Sequence, residues 1–275
     1  MVGGKGTRLL PLTETRPKII LPVADRPCLW YLLRSLAMGG IKEVILACGY
    51  KSELMRRTIG DGSDLGLSIE YSYEDEPLGT GGAMKLVEDR LDDTFVADNG
   101  DVFASIDVSG EIEIHQRTGA AVSIALTPVE NPCEFGIARV DDEMRITEFK
   151  EKPKPEEVFS NLINAGVYVL QKDVLADVPK NTFYDFSKDL VPRLMSEGRR
   201  IQGYQVDGIW MDVGRPRDLL RANLAIADAE YADRDWKAPG CALDGSIYMG
   251  PGASAHGSRL TDAVILSQAS VRSSN

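Results

Sequence analysis

Short apolar strands alternate with helical patterns over about the first 120 residues, and this alternation limits the fold more than any other feature of the sequence. Strand-like runs lie at 42–50, 67–75 and 94–101. Helical patterns lie at 27–40, 51–62 and 80–91. Strands joined by helices at this spacing predict right-handed βαβ units. The first half therefore predicts an α/β fold with a mostly parallel sheet flanked by helices.

The pattern changes after about residue 120, where strand-like runs dominate. Those runs lie at 120–129, 136–142, 145–153, 164–171 and 200–213. Helical patterns return at 185–198 and 216–232. Successive strands without a helix between them favour antiparallel pairing. We expect this half to complete the sheet with some antiparallel or mixed pairing.

A six-residue period marks the end of the chain. Apolar or small residues recur at Ile247, Ala253, Ile265 and Val271, with Leu260 one place out of register. This period predicts a short left-handed β-helix, while an irregular tail rich in Gly and Ser is the alternative. The expected domains are 1–235 and 240–275, with the tail packed on the main domain or on another subunit.

Composition excludes several classes of protein. The chain has 275 residues, 42 Asp and Glu against 31 Lys and Arg, and a net charge of -11, which argues against a duplex nucleic-acid binder. No apolar run reaches the ~18 residues of a membrane span, and no signal peptide is recognised. Four well-separated cysteines predict reduced thiols and a cytoplasmic protein. Only two histidines make a histidine-based triad or metal site improbable.

The amino-terminal stretch concentrates glycine and positive charge. Gly3, Gly4 and Gly6 fit neither a P-loop nor a dinucleotide fingerprint, but they let backbone N–H groups converge on an anion. Residues 1–26 hold five basic and two acidic side chains, among them Arg8 and Lys18. This stretch predicts a polyanionic ligand, and a flexible surface loop is the alternative.

Two aspartates follow apolar strands. Asp101 ends the run Asn99-Gly100-Asp101, and Asp212 lies in W-M-D-V-G. Carboxylates at the ends of strands are suited to Mg²⁺, a hard cation that prefers oxygen ligands. The alternatives are a turn for the first run and a helix-capping role for Asp212.

Two further motifs lie in the second half, Glu151-Lys152-Pro153 and Asn164-Ala165-Gly166-Val167. A lysine that precedes proline on an extended segment can point into a pocket and bind a phosphate. A solvated run of charges explains the first motif equally well.

Together the motifs carry a family resemblance. GGKGTRLLPLTETRPK, PLGTGGA, NGD, EKP, NAGVY and W-x-D-V-G occur in this order over roughly residues 1–225. The order closely resembles that of the sugar-1-phosphate nucleotidyltransferases, or NDP-sugar pyrophosphorylases. The resemblance implies a Rossmann-like, mostly parallel but mixed sheet, and the tail is similar to the left-handed β-helix that many members carry. The family's first strand is nearly absent here and the tail looks cut short, so we expect trimmed chain ends.

The resemblance also implies the reaction: a nucleoside triphosphate and a sugar 1-phosphate give an NDP-sugar and pyrophosphate. It assigns catalysis to Arg8, Lys18, Asp101 and Asp212, the two aspartates also binding Mg²⁺. The nucleotide would be bound further by Gly3, Gly4, Gly6, Thr7, Glu76, Gly79 and Thr80. The sugar phosphate would be bound by Gly136, Glu151, Lys152, Asn164 and Gly166. No general base is needed, because the attacking phosphate is already ionised.

The segment around Glu76 falls where the family reads the base. A carboxylate can accept both N–H groups of one guanine edge, so we expect GTP with mannose 1-phosphate. The E-P-L-G-T-G-G-A motif also looks like that of members acting on mannose or heptose 1-phosphate. The alternatives are a thymidylyl- or uridylyltransferase acting on glucose 1-phosphate and a non-catalytic subunit that senses nucleotide sugars. We expect a homo-oligomer with small-molecule substrates and with neither nucleic acid nor membrane as partner.

Overall fold

The computed structural model describes residues 1–2, 6–49, 52–100, 102–104 and 106–273. Within them, the helices are α1 (Cys28–Met38), α2 (Ser52–Ile59), α3 (Gly79–Leu86), α4 (Val108–Thr118), α5 (Val191–Ser196) and α6 (Pro216–Tyr231). The first eight strands are β1 (Pro22–Val23), β2 (Arg26–Pro27), β3 (Glu43–Cys48), β4 (Ser68–Tyr73), β5 (Thr94–Asp98), β6 (Val102–Ala104), β7 (Val122–Pro128) and β8 (Gly136–Val140). The others are β9 (Ile146–Glu151), β10 (Leu162–Gln171), β11 (Ile201–Gln205), β12 (Trp210–Asp212), β13 (Ala242–Met249), β14 (Ser254–His256), β15 (Arg259–Ile265) and β16 (Ser270–Arg272).

The central sheet has the order β11-β7-β10-β8-β9, and β5 pairs with β10 as well. The long strand β10 contacts β8 near its start, where Ile163 pairs with Ile137, and contacts β5 along its second half. Its register against β7 shifts between Asn164 and Tyr168. Such an irregularity bends a strand and redirects its side chains, which matters here because Asn164 belongs to the predicted site.

The sheet is mixed, as predicted, but the expectation that it is mostly parallel needs correction. Strands β5, β7 and β11 share one direction, and β10 runs the opposite way between β5 and β7. Among the described strands of this sheet, β7 and β11 form the parallel pair and the others pair antiparallel. Part of the reason is local: residues 141–145 join β8 to β9 in a tight turn, and a parallel connection needs a longer crossover. The long strand β10 is in turn antiparallel to β5, β7 and β8.

The first half follows the predicted alternation. Strands β3 and β4 pair in parallel across α2, with Glu43 opposite Ser68. The N–H of Val2 donates to the carbonyl of Ala47 (2.9 Å), and the N–H of Gly100 donates to the carbonyl of Met1 (3.0 Å). Residues 1–2 therefore lie between β3 and the end of β5.

A short ribbon of β6 and β12 lies beside the central sheet, with Asp212 opposite Val102. It packs on α1 and α6 through a buried cluster that includes Tyr31, Phe103 and Val213. The rings of Tyr31 and Phe103 meet edge to face at 5.0 Å. This packing fixes the ribbon, and with it the position of Asp212.

The tail forms regular parallel strands, so the alternative of an irregular tail is wrong. Strand β13 pairs with β15, Ala242 lying opposite Arg259, and β14 pairs with β16, Ser254 lying opposite Ser270. The Tyr248 hydroxyl donates to the carbonyl of Ala24 (2.9 Å), so the tail packs on the main domain. The hand of this coil and the division into 1–235 and 240–275 stay predictions.

Helix α4 carries an unusual buried acid. Glu111 is fully buried, and neither carboxylate oxygen has a hydrogen-bond partner among the described residues. Burial, and then the negative charge of Asp98, raises the pKa of Glu111 well above its ordinary value. A carboxyl with a higher pKa in the folded protein holds more protons there than in the unfolded chain. The free energy of unfolding therefore falls as the pH rises above the unfolded pKa.

We expect Glu111→Gln to reduce this fall, because an amide does not titrate. Between about pH 5 and 8, the free energy of unfolding measured with urea should decrease less in the variant than in the wild type. Glu113→Gln, at an exposed position of the same helix, is the control and should keep the wild-type pH dependence. An unchanged pH dependence in Glu111→Gln would contradict a buried, protonated Glu111.

Candidate active site

The described part of the amino-terminal loop begins at Gly6 and contains two 3₁₀ turns, Thr7–Leu9 and Lys18–Ile20. Gly6 has the left-handed φ of 61°, and its carbonyl accepts a hydrogen bond from the Thr13 hydroxyl (2.8 Å). Gly6 and Thr7 therefore lie at the start of this loop, as predicted. Gly3 and Gly4 lie outside the described residues.

Lys18 and Asp212 form the best-shielded ion pair of this loop. The Lys18 residue is 6% exposed, and its Nζ lies 3.0 Å from Oδ1 of Asp212, whose side chain is 22% exposed. The helix-capping alternative for Asp212 is wrong, because the N-cap residue of α6 is Arg215, whose N–H donates to Asp218 (2.9 Å). The Asp212 carboxylate instead faces the loop of residues 6–20, which carries Arg8 and Lys18.

Further ion pairs extend this contact into a row of alternating charges. Nη2 of Arg8 lies 3.4 Å from Oδ2 of Asp212, and its Nη1 lies 3.0 Å from Oε2 of Glu134. The other oxygen of Glu134 lies 3.0 Å from Nη2 of Arg215. We call this set, Lys18, Asp212, Arg8, Glu134 and Arg215, the charge ladder. It joins Arg8, Lys18 and Asp212, as the sequence predicts, and adds two residues that sequence reasoning missed.

The second predicted metal ligand, Asp101, lies outside the described residues. Its neighbour in the chain, Val102, pairs with Asp212 across β6 and β12. Among the described residues, no group of three or more histidine, cysteine, aspartate or glutamate side chains could hold a metal ion. The turn alternative also holds at Asn99, whose carbonyl accepts the Val102 N–H (3.0 Å).

The Glu151-Lys152 motif lies next to the charge ladder. Glu151 pairs with Gly136 across β8 and β9, and the Lys152 N–H donates to the carbonyl of Phe135 (2.9 Å), the residue after Glu134. Burial raises the pKa of Glu151, while the positive charge of Lys152 opposes this effect. The Lys152 side chain is 61% exposed with Nζ 3.9 Å from Glu151, so it is free to meet a soluble ligand.

Asn164 and Gly166 lie at the irregular stretch of β10, beside the end of β5. The Asn164 amide donates to the hydroxyls of Tyr168 (3.0 Å) and Ser187 (3.2 Å). Gly166 has a φ of 83°, and its carbonyl accepts the Asn99 N–H (2.8 Å). The structure thus places these two predicted residues beside the carboxyl end of β5. Ser187, which the sequence analysis did not select, is a hydrogen-bond partner of Asn164.

In the predicted base-binding segment, Gly79 and Thr80 contact other described parts of the protein, whereas Glu76 does not. The Thr80 hydroxyl accepts the Phe186 N–H (2.7 Å), which holds α3 against the segment that carries Ser187. Gly79 has a φ of 70°, and an added Cβ would lie 2.8 Å from the carbonyl of Tyr184. Glu76 is exposed, with no hydrogen bond or ion pair among the described residues. Its role therefore rests on the sequence.

A cavity of about 620 Å³ lies away from these residues, between β3 and β5. Its walls are mainly apolar and include Leu33, Leu46 and Val96. No member of the charge ladder lines it. The charge ladder, with its three cations, is better suited to a phosphorylated ligand than this cavity is.

The chain matches known proteins over most of its length. A family model described as nucleotidyl transferase matches residues 1–229. This chain belongs to that family.

Three relatives show the range of the family. A mannose-1-phosphate guanylyltransferase of Mycobacterium tuberculosis is 37% identical, over 96% of this chain and 78% of the relative. A UTP–glucose-1-phosphate uridylyltransferase of Synechocystis is 29% identical, over 91% of this chain and 68% of the relative. The crystal structure of a candidate glucose-1-phosphate thymidylyltransferase from Bacillus anthracis, in complex with sucrose, has a TM-score of 0.74 at 25% identity, over 86% of this chain and 94% of that one.

The protein is therefore a sugar-1-phosphate nucleotidyltransferase, and the family resemblance of the motifs is confirmed. The relatives differ in nucleotide and sugar, so family membership alone leaves the substrates open. None of the described helices combines the length and apolar character that crossing a membrane requires.

The missed residues, Glu134 and Arg215, follow directly from tertiary contacts. They lie 81 positions apart, and no local pattern links them. Their proximity to predicted residues was the available signal: Glu134 is two positions before Gly136, and Arg215 three after Asp212.

Proposed function

We propose that this nucleotidyltransferase transfers a guanylyl group from GTP to mannose 1-phosphate in a Mg²⁺-dependent reaction. A phosphate oxygen of the sugar phosphate attacks the α-phosphorus of GTP. The bond to the bridging oxygen breaks, and pyrophosphate leaves with its electron pair. The observation that carries the proposal is that Lys18 and Arg8, from the amino-terminal loop, meet the carboxylate of Asp212, about 200 positions later in the chain.

The cationic side chains of the ladder counter the charge of the nucleotide. Catalysis of phosphoryl transfer consists mainly of alignment and charge stabilisation, because the reactants are anions that repel each other. Arg8 is half-exposed, and its guanidinium can bind two phosphate oxygens at once. We assign it to the leaving pyrophosphate, and the buried Lys18 to the triphosphate.

The donor set suits Mg²⁺. Each oxygen of the Asp212 carboxylate accepts one cation in the ladder, and a carboxylate oxygen has two lone pairs, so both can accept another partner. Mg²⁺ is typically held by one or two carboxylates together with substrate phosphates. We assign Asp212 and Asp101 to it. When bound, the ion would neutralise charge on the reacting phosphates.

The neighbouring motif supplies the sugar-phosphate side. Lys152 has an exposed ammonium close to the ladder, which suits it to the sugar phosphate. Glu151, Asn164 and the backbone near Gly136 and Gly166 offer hydrogen-bonding groups for sugar hydroxyls.

Guanine and mannose are the finer part of the proposal. The Glu76 carboxylate can accept both N–H groups of a guanine edge. The mycobacterial relative is named as a mannose-1-phosphate guanylyltransferase. The alternative is a uridylyl- or thymidylyltransferase acting on glucose 1-phosphate, which the other two relatives support.

The deciding experiment is an assay of pyrophosphate release over a matrix of GTP, UTP, dTTP, ATP and CTP against mannose, glucose and heptose 1-phosphates, with and without Mg²⁺. We expect the highest kcat/KM for GTP with mannose 1-phosphate. A higher value for UTP or dTTP with glucose 1-phosphate would replace the specificity. No turnover with any pair, despite tight nucleotide binding, would favour a sensing subunit.

Removing one proposed metal ligand tests the role of Mg²⁺. We expect Asp212→Asn and Asp101→Asn each to lower kcat at least about 100-fold, because charge stabilisation in the transition state is lost. The unfolding midpoint reports whether the fold survives. Asp244→Asn, in the exposed part of the tail, is the control and should keep wild-type turnover. Near-normal kcat in Asp101→Asn would remove that residue from the metal site.

Lys152→Ala tests the sugar-phosphate side. We expect the KM for the sugar 1-phosphate to rise about tenfold while the KM for the nucleotide changes little, because one charged contact is lost. Lys154→Ala, two positions along and exposed, removes the same charge and should leave both constants unchanged. Equal effects of the two variants would contradict a specific role for Lys152.

Glu76→Gln tests base recognition. We expect kcat/KM for GTP to fall about tenfold or more, with a smaller change for UTP. The glutamine amide has one acceptor oxygen and no charge, so it cannot accept both guanine N–H groups as the carboxylate does. Asp75→Asn changes the neighbouring exposed acid and is the control. A parallel loss for both nucleotides would exclude Glu76 from base selection.

A further inference from the structure

Arg215 has no role in the proposal above, yet it belongs to the charge ladder. It precedes Pro216, the first residue of α6, and lies 207 positions after Arg8. Both arginines bind the same carboxylate: Glu134 places one oxygen 3.0 Å from Nη1 of Arg8 and the other 3.0 Å from Nη2 of Arg215. The two guanidinium groups are therefore neighbours around one anion.

This arrangement is built for exchange of anions rather than for stability. The side chains of Arg8, Glu134 and Arg215 are 53%, 46% and 61% exposed, and ion pairs at such exposure contribute little to folding. Two adjacent cations repel each other, so they need an anion between them. A phosphate presents oxygen pairs that match a guanidinium as a carboxylate does.

The position of Glu134 is fixed by the backbone. It ends the 3₁₀ turn Pro132–Glu134, which the Asn131 side chain caps by accepting the Cys133 N–H. The following carbonyl, of Phe135, accepts the Lys152 N–H. Glu134 is thus held where the proposed nucleotide side and the proposed sugar-phosphate side of the cleft meet.

We propose that Arg215 is a further phosphate-binding residue of this enzyme, and that Glu134 occupies the place of a nucleotide phosphate between Arg215 and Arg8 until the substrate displaces it. The inference rests on the proposed function in one respect, the binding of the leaving phosphates at Arg8. The start of α6 adds favourable potential, since the amino end of a long helix attracts anions.

Arginine variants test the first part. We expect Arg215→Ala to raise the KM for the nucleoside triphosphate, and for pyrophosphate in the reverse reaction, about tenfold each, while the KM for the sugar 1-phosphate stays within about twofold. Arg215→Lys keeps the charge and should recover at least part of this loss. Arg217→Ala removes an exposed arginine from the same helix turn and should behave as wild type.

Glu134→Gln tests the second part, because it keeps the shape and removes the competing charge. We expect the Kd for the nucleoside triphosphate, measured by calorimetry without the second substrate, to fall severalfold at low salt and to approach the wild-type value at high salt. A rise in this Kd would overturn the displacement, since Glu134 would then be an anchor for Arg8.

The outcomes separate the two proposals. Wild-type turnover together with equal behaviour of Arg215→Ala and Arg217→Ala would overturn only the role of Arg215. A loss of kcat in Arg215→Ala with unchanged KM for both nucleotide and pyrophosphate would likewise overturn it. Absence of turnover by the wild type with every substrate pair would overturn the proposed function itself.

Discussion

The geometry of the charge ladder depends on the ion pair between Lys18 and Asp212. Lys18 is 6% exposed, and an ammonium taken out of water without a partner costs about several kcal/mol. The loop of residues 6–20 can therefore bury Lys18 because an acidic group receives its ammonium, and Asp212 does so at 3.0 Å. Since Arg8 lies on the same loop and contacts the same carboxylate, one shielded contact positions both cations that we assign to the phosphates.

The proposed sugar-binding side of the site depends on strand β10, which carries Asn164 and Gly166. It runs antiparallel to β5, β7 and β8, and its irregular stretch brings the Asn164 amide to the Ser187 hydroxyl. Gly166 permits this path, because its φ is 83° and an added Cβ would lie 3.1 Å from the amide of Asn99. Strand β10 carries Asn164 and Gly166 of the proposed sugar-binding groups, and its register shift begins at Asn164, as expected where bulges adjoin functional sites.

Periodicity predicted the elements whose buried faces are apolar, such as α1 and α6, but it missed α4. The buried face of α4 includes Glu111 and His115, and polar residues there hide the helical pattern. The site divides in the same way. Residues in motifs that follow the order known for the family could be assigned through the resemblance. Glu134 contacts Arg8, and Arg215 contacts Glu134, only because the fold brings distant parts of the chain together. The role of Glu76 rests on its place in a family motif and on its carboxylate, and the structure adds no contact to support it.

The charge ladder also bears on how such a site can both attract and release polyanions. It holds three cations and two carboxylates, so each cation has an anionic neighbour before any phosphate binds. In the exchange that we propose, substrate replaces one set of ion pairs with another, so the net gain is smaller than the bare attraction of a triphosphate for three cations. A smaller gain favours release, because the carboxylate that was displaced can return as pyrophosphate leaves. At half-exposed positions each exchange is worth little and is screened by salt, which keeps the cycle reversible. The pair between Lys18 and Asp212 is more shielded than the other pairs of the ladder, so salt screens it less.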